Sequence, residues 1–363
     1  MAGEGAGLLD TMAAVAAFRP EDGRRQTSAD WSEIRRGATA DVYFARGADI
    51  LRRAGRLDTP VVAEVFSQSD GVLCGVEEAL GLLEGRPVDV EALAEGERFS
   101  AKEPVMRLRG AYGAFGLFET ALLGALASAS GWATAARSLR DVAPDAVLIS
   151  FGARHVHPAV ASTMERAALV GGLDDAASVL GARLAGREPV GTVPHAVVLL
   201  VGDTVRVAEL LAEDGVGGPV TVLVDTFHDE VEEALRTAAA LGPRLGGVRL
   251  DTPAERGGVT AGLVQEVRDR LDRAGYGHVQ IFVSGNLTPE RIVVLGAAGA
   301  TRFGVGHYVS SAAPIDMTMD LKQIDGRDVA KRGRLPGITP SRRLRWRLRG
   351  GRVVAVERVA TGG

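Results

Sequence analysis

Polar and glycine residues in this sequence gather where apolar runs stop. Ala146-Val147-Leu148-Ile149 gives way to Ser150-Phe151-Gly152-Ala153-Arg154-His155-Val156-His157-Pro158, an aromatic ring, a guanidinium and two imidazoles directly after a strand-like run. Val222-Leu223-Val224 stops at Asp225-Thr226 and Val248-Arg249-Leu250 at Asp251-Thr252. Ile281-Phe282-Val283 stops at Ser284-Gly285-Asn286, and Phe303 at Gly304-Val305-Gly306-His307. In parallel α/β sheets and barrels, ligands sit just beyond the carboxyl ends of the strands, so these turns would share one rim. A lone Asp at a strand end commonly caps the next helix. Two in consecutive units, followed by two glycine turns, suit a phosphorylated sugar. Glycine lets backbone N–H groups approach phosphate oxygens. The carboxylates Asp225 and Asp251 could take ribose hydroxyls or hold Mg²⁺ on a diphosphate.

Two further residues stand out. His195 follows Gly191-Thr192-Val193-Pro194, and an imidazole at such a mouth can be nucleophile, proton carrier or simply structural. Glu119 lies between Phe118 and Thr120 in an apolar run over 111–129, where burial is costly without a partner. It reads either as a solvated group or as one backing a site.

The elements that must position these residues follow from periodicity. Strand-like runs occur at 146–149, 196–201, 220–224, 247–250, 279–283 and 301–303, with helix-like runs at 229–241, 258–274 and 288–298 between them. Apolar strands alternating with amphipathic helices imply βαβ units buried on both faces. The expected fold is α/β, an irregular, incomplete (β/α) barrel over 111–313, with an open doubly wound sheet as the runner-up. Ahead of it lie a partly ordered leader (1–30) and an α+β lobe (31–110). That lobe has a helix from Ala40 to Ala54 capped by Thr39 or Asp41, a strand at 60–66 and a helix at 76–83. From 314 the tail reads as β-hairpins. Arg343, Arg345, Arg347 and Arg349 alternate with Leu344, Trp346 and Leu348, which predicts one solvated basic face rather than a nucleic-acid patch.

Composition narrows the classes. Hydrophobic residues make up 46% of the 363 and charged residues 24%, ordinary for a globular protein. A net charge of −4 argues against nucleic acid or an anionic membrane as the main partner. The single Cys74 excludes an intramolecular disulfide framework and a cysteine-based zinc site. No signal-like or long uncharged apolar stretch is evident, so a cytoplasmic location is the default expectation.

Several motifs in order resemble the nicotinate phosphoribosyltransferase family, most of all its shorter, archaeal-type branch. They are Asp41-Val42-Tyr43-Phe44, Phe118-Glu119-Thr120, Ser150-Phe151-Gly152-Ala153-Arg154, Gly191-Thr192-Val193-Pro194-His195, Val248-Arg249-Leu250-Asp251-Thr252, Val283-Ser284-Gly285 and Phe303-Gly304-Val305-Gly306. The resemblance implies a type II phosphoribosyltransferase fold, with the carboxy-terminal segment packing on the amino-terminal lobe, and a homodimer with shared active sites. It implies transfer of the phosphoribosyl group of phosphoribosyl diphosphate to nicotinate, with Mg²⁺ and, in many relatives, ATP acting through a phosphorylated histidine. By the same resemblance Tyr43 and Phe151 look like the rings that stack the pyridine, and Arg249 resembles the donor to its substituent. Arg154, Ser284, Gly285, Asn286, Gly304, Gly306 and His307 resemble the phosphate and diphosphate ligands. Asp225 and Asp251 resemble the ribose and Mg²⁺ residues, His195 the phosphorylatable histidine, and Glu119, Thr192 and His155 supporting residues. The sequence departs from the branch at His155 (Arg there), Asn286 (Gly), His307 (Thr) and Ala177 (Ser). It also lacks the zinc knuckle of some members. These departures open nicotinamide or another aza-aromatic ring as acceptor; a non-catalytic nucleotide sensor is a further alternative.

Overall fold

The structure, a computed structural model, describes residues 7–213 and 218–354; residues 1–6 of the expected leader and 355–356 of the expected hairpin lie outside them. The chain forms two compact units, Met1–Gly131 with Ala313–Gly363, and Trp132–Ala312. In chain order come α1 (Val42–Arg53), β1 (Pro60–Ser67), α2 (Val76–Leu83), β2 (Val88–Ala92), β3 (Pro104–Ala111) and α3 (Glu119–Val142). The second unit continues with β4 (Val147–Ser150), α4 (Pro158–Gly171), β5 (Asp175–Ala176), α5 (Val179–Leu184), α6 (His195–Val201) and α7 (Thr204–Glu213). Then follow β6 (Val220–Leu223), α8 (Glu230–Leu241), β7 (Leu245–Leu250), α9 (Ala261–Arg273), β8 (Gln280–Ser284), α10 (Pro289–Ala297), β9 (Arg302–Val305) and α11 (His307–Ser310). The chain closes with β10 (Met317–Ile324), β11 (Arg327–Asp328), β12 (Arg345–Arg349) and β13 (Arg352–Val353).

The first unit is built on a seven-stranded antiparallel sheet in the order β11-β10-β1-β3-β2-β12-β13. Its core joins Val65, Leu80, Leu108, Phe118 and Leu348. Asp41 occupies the N-cap position of α1 as expected, yet its carboxylate accepts from Thr120 Oγ1 at 3.2 Å and makes no capping bond. The leader contains a short helix, Met12–Ala17, capped by Thr11. The even alternation expected for the arginine strand fails. A register shift between Trp346 and Leu348 turns Arg347 inward, where it is 6% exposed and burial lowers its pKa. Helix α3 is long and apolar enough to cross a membrane by composition. Its buried Leu122, Leu126, Ala129, Ala133, Ala136 and Leu139 recur at three- and four-residue intervals, the stripe of a core helix.

The second unit is an open half-barrel of six parallel strands in the order β5-β4-β9-β8-β7-β6. Registers pair Ser150 with Val305, Ser284 with Gly304, and Val283 with Leu250, so the carboxyl ends are level. One expected strand is absent: the run 196–201 is the helix α6, opened by Pro194 and ended by Gly202 in a left-handed conformation (φ 87°). Its place in the strand count is taken by the two-residue β5.

Candidate active site

Residues two apart on a strand share a face, and here that spacing separates chemistry from core. Val248, Leu250, Ile281 and Val283 point into the hydrophobic core beneath the helices. Arg249 and Asp251, and Phe282 and Ser284, share the opposite face. Arg249 donates from Nε to Ser284 Oγ (2.8 Å), from Nη1 to Thr192 Oγ1 (2.7 Å) and from Nη2 to Asp251 Oδ2 (3.3 Å). Ser284 Oγ in turn donates to Asp251 Oδ1 at 2.7 Å. The guanidinium lies 4.9 Å from the ring centroid of Phe151 and 5.7 Å from that of Phe282, within cation–π range of both. Desolvation lowers the pKa of Arg249, and Asp251 and Asp225 oppose that shift.

Beside this network, His195 opens α6 and turns toward two acids. Nδ1 is 3.0 Å from Thr226 Oγ1, and Nε2 is 3.7 Å from Asp225 Oδ2 and 3.8 Å from Asp251 Oδ2. The Asp225 carboxylate is 1% exposed, and neither oxygen has a hydrogen-bond partner among the described residues. Burial pushes its pKa up, His195 pulls it down and Asp251 pushes again, leaving it at about 6. A buried, unsatisfied carboxylate is expensive unless a ligand completes it. Two orphaned hard oxygens suit ribose hydroxyls or a cation. Among the described residues no group of three or more potential metal-ligating side chains forms, so any Mg²⁺ here would draw its other ligands from water and phosphate, as that ion commonly does.

At the rim, Phe151 packs on Phe282 with centroids 5.7 Å apart, and Phe151 N–H donates to Val305 O at 2.7 Å. Gly304 and Gly306 have a packing reason to be glycine. A Cβ on Gly304 would fall 2.5 Å from the Phe151 ring, and one on Gly306 2.7 Å from His155 Cε1. The Ser284-Gly285-Asn286 turn is left-handed at both Gly285 (φ 94°) and Asn286 (φ 47°). Asn is among the few side chains that accept such a φ. Arg154, His155 and His307 are exposed, with the His155 ring beside Gly306 and His307.

Of the residues singled out from sequence, His195, Thr192, Asp225, Arg249, Asp251, Ser284 and Phe151 therefore meet on one face of the second unit. Phe282 was not expected there, and Thr226 stood at the Asp225 stop with no role assigned to it. Phe282 looked like core, though its two-residue spacing from Ser284 gave its face away. Tyr43 and Glu119 belong to the first unit. Tyr43 is 57% exposed on α1, and the pKa of Glu119 is pushed up to about 7 by burial and by Asp320.

Comparison with known proteins gives the family. Residues 41–130 match the quinolinate phosphoribosyl transferase N-terminal domain, and residues 132–320 its C-terminal domain. A nicotinate phosphoribosyltransferase of Mycobacterium tuberculosis is 31% identical over 67% of this chain and 55% of its own length. The chain thus spans about half the length of that curated relative. A second from the same organism is 30% identical over 87% of this chain and 72% of its own. Among solved structures, nicotinate-nucleotide pyrophosphorylase from Pyrococcus furiosus is 40% identical, with a TM-score of 0.86 over 92% of this chain and 94% of that one. Human nicotinic acid phosphoribosyltransferase shares the fold at 19% identity, with a TM-score of 0.69 over 87% of this chain and 90% of that one. With both domains matched in order, the chain belongs to the nicotinate and quinolinate phosphoribosyltransferase family, of type II phosphoribosyltransferase fold.

Proposed function

We propose that the protein joins nicotinate to phosphoribosyl diphosphate, giving nicotinate mononucleotide and diphosphate, a salvage step of NAD biosynthesis. The observation that carries this reading is Arg249, set against Phe151 and Phe282 beside Asp251 and the buried Asp225. A guanidinium has five N–H donors, and three of those on Arg249 are committed. The remaining two match one carboxylate on a ring stacked against Phe151. The pyridine nitrogen brings its own lone pair: the N–C1′ bond forms as the C1′–O bond breaks, and diphosphate leaves with that electron pair. No protein base is needed, so the chain's work is positioning and electrostatics. Asp225 and Asp251 offset the positive charge developing on the ribose. The same two residues would hold Mg²⁺, whose contribution when bound is to neutralise charge on the departing diphosphate. His195, fixed at Nδ1 by Thr226, is the candidate for transient phosphorylation where ATP is used. Tyr43, exposed on α1, suits a stacking role supplied across a homodimer. The single cysteine, Cys74, is buried and accords with a reducing, cytoplasmic setting.

The description of the matching family model, quinolinate phosphoribosyl transferase, favours a second reading, a pyridine dicarboxylate acceptor. Against it, Arg249 faces both Asp251 and Asp225, whose negative charge leaves little positive potential beside it for a second carboxylate. The test is to incubate the protein with phosphoribosyl diphosphate, Mg²⁺ and nicotinate, nicotinamide or pyridine-2,3-dicarboxylate, with and without ATP, and to assay mononucleotide and diphosphate. Nicotinate should turn over fastest. Tight mononucleotide binding with no product from any acceptor would replace the enzyme reading by a sensor.

A further inference from the structure

The two acids that face His195 are held in place by different means. Asp251 is tethered by its side chain, with Ser284 Oγ donating to Oδ1 at 2.7 Å and Arg249 Nη2 to Oδ2 at 3.3 Å. Asp225 has no such tether: among the described residues neither of its oxygens has a hydrogen-bond partner, so its place is set by the backbone of its own turn. The ladder between β6 and β7 pairs Leu223 with Arg249 and ends where Val224 N–H donates to Arg249 O at 3.2 Å, one residue short of Asp225. Beyond that point the link passes to side chains. Thr252, next after Asp251 and 8% exposed, donates from Oγ1 to Glu230 Oε1 at 2.9 Å, and Glu230 stands in the first turn of α8, where the Asp225 turn ends. We infer that Glu230, acting through Thr252, is a positioning residue, a strut that fixes the gap between the Asp225 and Asp251 carboxylates. This rests on the phosphoribosyl reading above for the reaction that the gap serves.

A carboxylate that is 2% exposed is costly to bury, and the surroundings of Glu230 show what offsets the cost. Arg256 Nη2 lies 3.3 Å from Glu230 Oε2 and 3.8 Å from Asp229 Oδ2. The amino end of α8, where Asp229 caps the Val231 N–H at 3.0 Å, also favours negative charge. If packing alone were required, an apolar residue would fill this volume without the desolvation. The directed bond to Thr252 points instead to a fixed geometry. It ties the β6 turn, which carries Asp225 and the Thr226 partner of His195, to the β7 turn, which carries Asp251. Asp225 Oδ2 and Asp251 Oδ2 lie 3.7 and 3.8 Å from His195 Nε2, so a drift of either turn would spoil their joint approach to one ligand. Misplacement by about 1 Å costs about 100-fold in rate.

Three variants of the full chain test the strut. Thr252→Val keeps the volume and removes the donor, Thr252→Ser restores it, and Glu230→Met removes the acceptor while leaving Arg256, with a side chain 56% exposed, to water. Crystal structures of wild type and Thr252→Val should differ by about 1 Å in the Asp225–Asp251 carboxylate gap. In initial rates with phosphoribosyl diphosphate and nicotinate, Thr252→Val and Glu230→Met should each lower kcat by about 10- to 100-fold. The nicotinate KM, set by Arg249 and Phe151, should stay unchanged, and Thr252→Ser should recover most of kcat. The double variant should be no worse than the worse single one, because both remove the same bond. If Glu230→Met does not fold, the two Thr252 variants carry the test. An unmoved gap in Thr252→Val, losses that multiply in the double variant, or kcat and KM failing together without recovery in Thr252→Ser would overturn the strut. A displaced gap in a protein that turns over no acceptor would keep the strut and remove the proposed reaction, whereas turnover with an unmoved gap would do the reverse.

Discussion

Replacing Asp225 with Asn should make the protein more stable at neutral pH while disabling it. The folded carboxyl titrates near 6 against an ordinary value of 3.8, because it is buried without a hydrogen-bond partner. Between those values the folded state holds a proton that the unfolded state has released, so stability falls as pH rises through the window from about 4 to 6. A shift of roughly two units corresponds to about 3 kcal/mol of destabilisation above that window. Asparagine removes the charge but leaves a buried amide whose own unmet hydrogen bonds cost about 1 kcal/mol or more. The net expectation is a gain of about 1–2 kcal/mol at pH 7.5 and almost none at pH 4.5. Urea unfolding of wild type and Asp225→Asn at both pH values measures the difference directly. Turnover should fall by about 100-fold or more, the scale of losing one electrostatic contact at the reacting centre. A variant less stable than wild type at pH 7.5, or one shifted equally at both pH values, would refute the reasoning.

Gly304→Ala should push the Phe151 ring aside, because the new methyl would lie 2.5 Å from it. The expected result is a rise of about tenfold in the acceptor KM, with a stability loss of about 1–3 kcal/mol typical of overpacking; an unchanged KM would separate that ring from acceptor binding. Thr226→Val removes the partner of His195 Nδ1 and should lower ATP-dependent stimulation more than the ATP-independent rate, read by initial rates with and without ATP. Glu119, pushed to about 7 by burial and Asp320, makes wild-type stability decline from about pH 4.5 to 7. Glu119→Gln should flatten that part of the profile in thermal unfolding, and a profile identical to wild type would count against the burial.

The strand ends were legible because apolar runs stop abruptly at polar residues, and Asp225, Asp251 and Ser284 stand at those stops. The run 196–201 was not, since six apolar residues have no period of their own. What decides it is flanking chemistry, Pro194 at the N-cap and Gly202 at the C-cap. The strand Asp175–Ala176 is too short to show any pattern, and Arg347 escaped because the shift beside Trp346 breaks the alternation that the sequence displays. The rim glycines were read for their reach toward phosphate. Gly304 and Gly306 also make room for Phe151 and His155, a requirement visible only once the neighbouring strand is in place.

Because Arg249 and Asp251 interleave with Val248 and Leu250, and Phe282 and Ser284 with Ile281 and Val283, the reactive face and the oily face are two phases of the same strands. Sliding either strand by a single residue would drive a guanidinium, a carboxylate and a hydroxyl under the helices and turn aliphatics out at the mouth. The groups suited to grasping ligand thereby proofread strand alignment during folding. Single-residue insertions or deletions within Leu245–Asp251 or Gln280–Ser284 should consequently abolish soluble expression, where equal changes in the outer connections pass.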